Sequence, residues 1–154
     1  MRARRLFSGL ALAAGLATAG GGAAPAGGPA PPAKNWALPL FTNEGWRSMT
    51  LRGTEVHPVS SDRIDVVDIN ITVFSGDAAE RVASILLSPS ASFFPHANSA
   101  SGAQSVRMIR FRPDGEIAAE ITGEDWTYAQ AGEKVSIRRN AHVVFKEQLT
   151  SILK

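Results

Sequence analysis

The stretch Arg63–Phe74, RIDVVDINITVF, decides the fold. Apolar and polar residues alternate along it, and most of the apolar residues are β-branched. This period of two predicts a long β-strand with one buried and one solvated face, and β-branched side chains pack well on such a surface. Ser75-Gly76-Asp77 ends the strand with a turn. The residues on its predicted apolar face are Val67, Ile69, Ile71 and Val73.

The same period continues in the next segment, Val82–Phe94, VASILLSPSASFF. Its serines fall on the face opposite to its apolar residues, which is typical of the wet side of a strand. Because Pro89 has no backbone N–H, this strand is predicted to lie at a sheet edge or to bend there. The residues on its predicted apolar face are Ala83, Ile85, Leu87, Ala91 and Phe93.

Shorter alternating segments follow a polar loop predicted at His96–Gln104. Strands are predicted at Ser105–Arg112, Glu116–Thr122, Asp125–Ala129, Lys134–Arg138 and Ala141–Lys146, with turns or breaks between them. The only helical candidates are Asp77–Ala83 and Glu147–Leu153. Short strands at this spacing predict an all-β antiparallel sandwich or open barrel.

The N-terminal segment carries the pattern of an export signal. Arg2, Arg4 and Arg5 precede an apolar run, Leu6–Ala19, which ends in small residues. Residues 1–19 are therefore predicted to be a secretory signal peptide, or an uncleaved anchor, although a span needs about 20 apolar residues. Residues 20–34, rich in Gly, Ala and Pro, are predicted to be a tether. Residues 35–154 are predicted to form the folded domain, which is exported.

The net positive charge of the full chain comes from the predicted signal peptide. The 154 residues include 16 Lys and Arg and 14 Asp and Glu. Residues 1–19 contain three of the basic residues and none of the acidic ones, so the remainder carries a net charge of −1. This excludes the concentrated positive charge on which nucleic-acid binding depends. The absence of cysteine excludes disulfides, thiolate metal sites and a cysteine nucleophile.

No catalytic motif stands out. The three histidines, His57, His96 and His142, have no metal-ligand spacing. Ser88, Ser90 and Ser92 lack the surroundings of a nucleophile elbow, and the phosphate-cradling glycine motifs are absent from the folded part. The sequence therefore predicts a protein that is not an enzyme and uses no cofactor or metal. Its apolar strand faces either fill a closed core or leave a groove for an apolar ligand.

Several segments carry a family resemblance. They are WALPLF at 36–41, GWR at 45–47, LRG at 51–53, SPSASF at 88–93, ITGEDWTY at 121–128, KVSI at 134–137 and NAHVVF at 140–145. Together they resemble the periplasmic lipopolysaccharide-export proteins of the LptA/LptC group, which have an OstA-type domain. LptC-type members usually keep an N-terminal membrane helix, whereas this N-terminus has a cleavable pattern, which favours an LptA-like placement.

The resemblance implies a single twisted antiparallel β-jellyroll, an open half-barrel whose apolar face cradles lipid A acyl chains. It also implies edge-to-edge docking with other β-jellyroll transport proteins and energy supplied by an inner-membrane ABC transporter complex. The groove residues that it implies are Ile69, Ile71, Ile85, Leu87, Trp126, Tyr128, Ile137 and Phe145. The alternative function is a tethered structural or adhesive β-sandwich of the cell envelope, with a closed core and no lipid site.

Overall fold

A computed structural model describes residues 31–146, which form one antiparallel β-sheet. Its seven strands are β1 (Ala33–Phe41), β2 (Arg47–Ser60), β3 (Arg63–Phe74), β4 (Val82–Phe94), β5 (Ser99–Phe111), β6 (Ile117–Ala129) and β7 (Lys134–Phe145). Helical structure in this range is limited to two three-residue 3₁₀ turns, Pro95–Ala97 and Ala131–Glu133. The prediction of an all-β antiparallel fold with little helix is confirmed.

The strands lie in the sheet in the order in which they occur in the chain. Within residues 31–146, each strand pairs only with its neighbours in sequence, so the sheet is open and β1 and β7 are its edges. β1 begins at Ala33, two residues before the predicted start of the domain. The predicted signal peptide, residues 20–30 of the predicted tether and the helical candidate Glu147–Leu153 lie outside the described residues.

The sheet has one apolar side, which we call the inner face, and the opposite side is the outer face. Met49 and Leu51 on β2 are buried on the inner face beside Ile69 and Ile71 on β3. The same cluster extends through β4, β5 and β6, and partly buried residues of β1 and β7 pack against its margins. One continuous apolar face therefore accounts for the core.

The sheet curls over this face. Gln130 Nε2, just after β6, lies 3.5 Å from Ser48 Oγ at the start of β2. In a flat sheet these two strands would be four spacings, about 19 Å, apart, and the two residues would lie at opposite ends of them. Their contact therefore requires a strongly coiled sheet that bends over its inner face.

In every strand from β2 to β7, the alternation of inward and outward side chains is interrupted once by two or three consecutive outward residues. We call the line of these interruptions across the sheet the seam. In β3, Val66 and Ile69 are both buried on the inner face, while Val67 and Asp68 between them both face outward. Asp68 takes a left-handed conformation, with φ of 49°, which Asp tolerates better than most residues. The outward residues that define the seam are Thr54-Glu55, Val67-Asp68, Pro89-Ser90, Ala103–Ser105, Glu124-Asp125 and Arg138–Asn140.

The strand registers bring these interruptions into one line. The residue pairs on either side of Asp68 place it opposite Thr54 on β2 and opposite Pro89 on β4. β5 and β7 each contribute three outward residues instead of two, and the extra residue appears as a register shift, as in a β-bulge. Asp125 and Asn140 again have positive φ, of 52° and 50°. The seam therefore crosses the sheet at one height.

Glycines make room for large side chains where the seam passes. A Cβ on Gly102 would lie 2.7 Å from Trp126 Nε1 and 2.9 Å from the Ser90 carbonyl oxygen. A Cβ on Gly123 would lie 2.3 Å from Ile137 Cγ2. All three distances are shorter than side chains accept, so these positions need glycine for close packing between neighbouring strands.

The seam also explains where the predicted strand boundaries are wrong. The breaks predicted at Gly123-Glu124 and Arg139-Asn140 are seam bulges inside the continuous strands β6 and β7. The loop predicted over His96–Gln104 ends at Asn98, because Ser99 already pairs with Ala129 in β5. The helical candidate Asp77–Ala83 is a turn that leads into β4 at Val82. β1 and β2 have no counterpart among the predicted strands.

Replacing Gly102 with Ala tests the close packing at the seam. We expect Gly102→Ala to lower the free energy of unfolding by about 1–3 kcal/mol, since the new methyl group overpacks against a backbone oxygen and a buried indole. The measurement is urea unfolding followed by far-UV circular dichroism. Ala103→Ser, at the exposed neighbouring position, is the control and should change stability by less than about 0.5 kcal/mol. Equal stability of Gly102→Ala and the parent would contradict the packing described.

Candidate functional site

The structure divides the eight predicted lipid-contacting residues into three groups. Ile69, Ile71, Trp126 and Tyr128 lie on the inner face, and each is no more than 2 % exposed. Side chains buried to this degree are core residues in this conformation, and a ligand reaches them only if the sheet opens. The inner face is therefore apolar as predicted but closed at its centre.

Ile85 and Leu87 lie on the outer face, so the prediction that they share a face with Ile69 and Ile71 is wrong. Leu86 pairs directly with Ile71, and directly opposed residues share a face of the sheet. Leu86 is accordingly the buried residue of this part of β4. The prediction fails because two consecutive residues face outward at Pro89, so counting in steps of two from Phe93 arrives one residue out of register.

Ile137 and Phe145 lie on β7, at the margin of the inner face. Ile137 is partly buried and packs against the core. Phe145 pairs with the buried Ala119, so its side chain is on the inner side, yet it is 71 % exposed. Val143 pairs with Ile121 on the same side and is 44 % exposed. We call Val143 and Phe145, with the adjoining Ala119 and Ile121, the open end of the inner face.

A small polar network holds the centre of the core together. Trp126 Nε1–H donates to Ser88 Oγ at 3.3 Å, and Ser88 Oγ donates to the Ser105 carbonyl oxygen at 2.7 Å. Ser88 therefore satisfies the buried indole and also bridges β4 and β5 where the seam interrupts their ladder. The sequence pattern placed Ser88 on a wet strand face, whereas it is buried on the inner face beside Trp126. The parity change at Pro89 is again the reason.

Tyr128 is the one tyrosine of the chain, and its hydroxyl is buried without a hydrogen-bond partner among the described residues. Burial raises its pKa from 10.0 to about 12, and the negative charge of Glu133 adds to the effect. A phenol this reluctant to ionise is unsuited to proton transfer near neutral pH. Tyr128 is best understood as an apolar core residue.

The outer face carries a groove of about 630 Å³ that follows the seam from β3 to β7. Leu87 and Pro89 supply apolar surface, and polar side chains from four other strands surround them. Those polar residues include Asp68, Ser105, Arg107, Thr122, Glu124 and Asn140. This site has no signature in the sequence, because its residues come from five strands and meet only through the register.

His57, Asp65 and Ser92 lie side by side on β2, β3 and β4, but the serine bonds to the carboxylate and not to the histidine. His57 pairs with Glu55 at 2.7 Å and His96 with Asp62 at 3.0 Å, both on exposed surface. Ser92 Oγ donates to Asp65 at 2.8 Å and so is not oriented by a histidine. Within residues 31–146, no three His, Asp or Glu side chains are grouped so that they could hold a metal ion.

Among the residues that the structure describes, no helix is long and apolar enough to cross a membrane. Comparison of the chain with protein-family models and with curated proteins finds no match.

Replacing Ser88 with Ala tests the network. Ser88→Ala leaves the buried Trp126 N–H without an acceptor, so we expect a loss of about 1–3 kcal/mol in the free energy of unfolding. Urea unfolding provides the measurement. Ser90→Ala, two residues along the strand and on the outer face, should stay within about 0.5 kcal/mol of the parent. If the two variants were equally stable, the network would have no structural role.

The pKa of Tyr128 can be measured directly, because no other residue of the chain gives a phenolate signal. Ultraviolet difference absorbance should give a midpoint near pH 12 in the folded chain and near pH 10 in denaturant. The unfolded state loses this proton first, so the free energy of unfolding should fall as the pH rises from 10 to about 12. Tyr128→Phe should lack this part of the fall and lose no stability at neutral pH. A folded-state midpoint at pH 10 would contradict the burial of the hydroxyl.

Proposed function

We propose that this chain is a non-enzymatic periplasmic lipopolysaccharide-transport protein. It takes lipid A acyl chains onto the inner face of its sheet and docks edge to edge with other β-jellyroll transport proteins. Those proteins would connect it to an inner-membrane ABC transporter complex. The resemblance of residues 36–147 to the lipopolysaccharide-export group supports the proposal, as does the single open antiparallel sheet, which is the architecture that this resemblance implies.

The observation that carries the proposal is the open end of the inner face. The core of a closed domain stops where solvent begins, but here the apolar inner face continues past the buried Ala119 to Val143 and Phe145 on the edge strand β7. An exposed aromatic side chain in line with the core is the kind of surface on which an acyl chain gains contact. The open end is therefore the proposed point of entry.

From the open end, an acyl chain would follow the margin of the inner face along β7, the edge strand next to β6. Val135 and Ile137 on β7 and Leu38 and Leu40 on β1 are only partly buried, while the residues between these margins are packed tightly. Partial burial at the margins means that few contacts are lost when an edge strand moves. In this proposal, deeper uptake proceeds by displacement of an edge strand and leaves the centre around Trp126 intact.

The exposed edge of β7 supports the docking part of the proposal. Every residue from Arg138 to Phe145 is exposed, and within residues 31–146 the strand pairs with β6 alone. Unpaired N–H and C=O groups along such an edge are a template for another strand. Addition of a strand from a partner would satisfy them through main-chain hydrogen bonds.

The alternative, a structural or adhesive module of the envelope with no lipid site, is favoured by one specific observation. The centre of the inner face is closed, with Ile71 and Trp126 fully buried. If this closure persists in the presence of lipid, the domain has no acyl site and serves as a spacer. The two functions therefore differ in whether lipid binds at the open end.

Substitution at the open end separates these functions. We expect Val143→Asp to weaken binding of fluorescently labelled lipopolysaccharide to the full chain about tenfold, since a carboxylate replaces an apolar contact. The matched control is Val144→Asp, because Val144 is 38 % exposed on the same strand but pairs with Glu120 on the outer face. It should bind within about twofold of the parent, with both variants unchanged in circular dichroism. Absence of saturable binding by the parent, or equal loss in both variants, would contradict the proposal.

A further inference from the structure

The outer face carries large apolar side chains that the core does not use. Ile85 and Ile109 pair directly on β4 and β5, and Leu87 lies two residues further along β4. All three are on the side opposite to the buried Leu86 and Met108 and are partly exposed. A sheet with one core normally solvates its other face with polar residues, so these side chains call for a separate explanation.

The groove along the seam begins where this apolar strip ends. Leu87 and Pro89 contribute its apolar surface, and the volume of about 630 Å³ is in the range of small-molecule sites. The left-handed residues Asp68 and Asn140 lie at its two ends, on β3 and β7. The groove is therefore formed by the seam itself.

The charges around the groove are not balanced. Arg107, its basic residue, is already held by Glu120, with Nε and Oε1 2.6 Å apart. This bond raises the pKa of Arg107 and lowers the pKa of Glu120, so each neutralises the other. The groove thus gains no net positive charge from its arginine.

The groove also contains two carboxylates, those of Asp68 and Glu124. Asp68 accepts a hydrogen bond from Thr54 Oγ1 at 2.9 Å, and Glu124 accepts one from Asn140 Nδ2 at 3.2 Å. Neither forms an ion pair with any side chain of residues 31–146. Arg139 is opposite Glu124 in the register, but its guanidinium donates to the Ala103 carbonyl oxygen.

We propose that the seam groove is a binding site for a single-chain amphiphile with a cationic head group. The apolar tail lies against Leu87 and Pro89 and extends over Ile85 and Ile109, and the head group pairs with Asp68 or Glu124. These two residues are separated by three strand spacings, about 14 Å along the sheet, so one tail reaches from either carboxylate to the apolar strip. The site is on the opposite face from the open end, and its preferred ligand has the opposite charge from lipopolysaccharide.

The test uses three probes with the same tail: dodecylamine and dodecanoate below their critical micelle concentrations, and dodecanol below its solubility limit. Isothermal titration calorimetry on the full chain should show saturable binding with affinity in the order amine, alcohol, acid. The double variant Asp68→Asn with Glu124→Gln should bind the amine about fivefold more weakly, as expected for the loss of one surface ion pair, and bind the alcohol unchanged. Asn tolerates the positive φ at position 68, and both replacements keep an acceptor oxygen, so the fold is preserved.

A second variant tests the apolar part. Leu87→Ser should weaken amine binding about tenfold, whereas Val144→Ser, also on the outer face but away from the groove, should leave it unchanged. Equal binding of the acid and the amine, or an unchanged affinity in both the Leu87 and the carboxylate variants, would overturn the inference. Loss of amine binding in Val143→Asp would also overturn it, by placing the amine at the open end. None of these results bears on lipopolysaccharide binding, which the Val143 and Val144 pair tests separately.

Discussion

The whole structure depends on one constraint, which is that the interruptions of alternation in β2 to β7 fall at the same height of the sheet. An interruption in one strand alone would turn the rest of its apolar side chains to the outer face. Because the register aligns them, the inner face stays apolar on both sides of the seam. Trp126 over Gly102, and its bond to Ser88, exist only because of that alignment. The same alignment leaves paired outward residues that form the groove on the other side.

The fold class was predictable because a period of two survives in the sequence wherever the seam does not interrupt it. Ile69, Ile71 and Val73 follow the interruption in β3, and the face predicted for them is the face on which they are buried. Val67 precedes Asp68 and faces outward, although it is two residues from Ile69, just as Ile71 is. Periodicity describes a regular strand, and a left-handed residue inside a strand leaves no trace in hydropathy. Asp68 has the same polarity as any solvated strand residue.

The candidate site was less predictable, because its features depend on position in the sheet. The exposure of Phe145 follows from the place of β7 at an edge, which no local pattern reveals. Ser88 has the composition of a surface residue, and its burial depends on a tryptophan 38 residues away. Asp68 and Glu124 come from strands separated by two others, so only the register brings them to one groove. What sequence established reliably was the apolar character of the inner face at Ile69, Ile71, Trp126 and Tyr128.

The strand order has a consequence for how the chain folds. Each ladder joins segments that are adjacent in sequence, so each requires closure of only a short loop, and the entropy cost of that closure is small. All-β domains with strands paired across the whole chain fold slowly for the opposite reason. This chain can assemble hairpin by hairpin from either end or from the middle, with the approach of Ser48 to Gln130 as a late, long-range event. Folding should therefore be fast for an all-β protein, with coiling of the sheet as its final step.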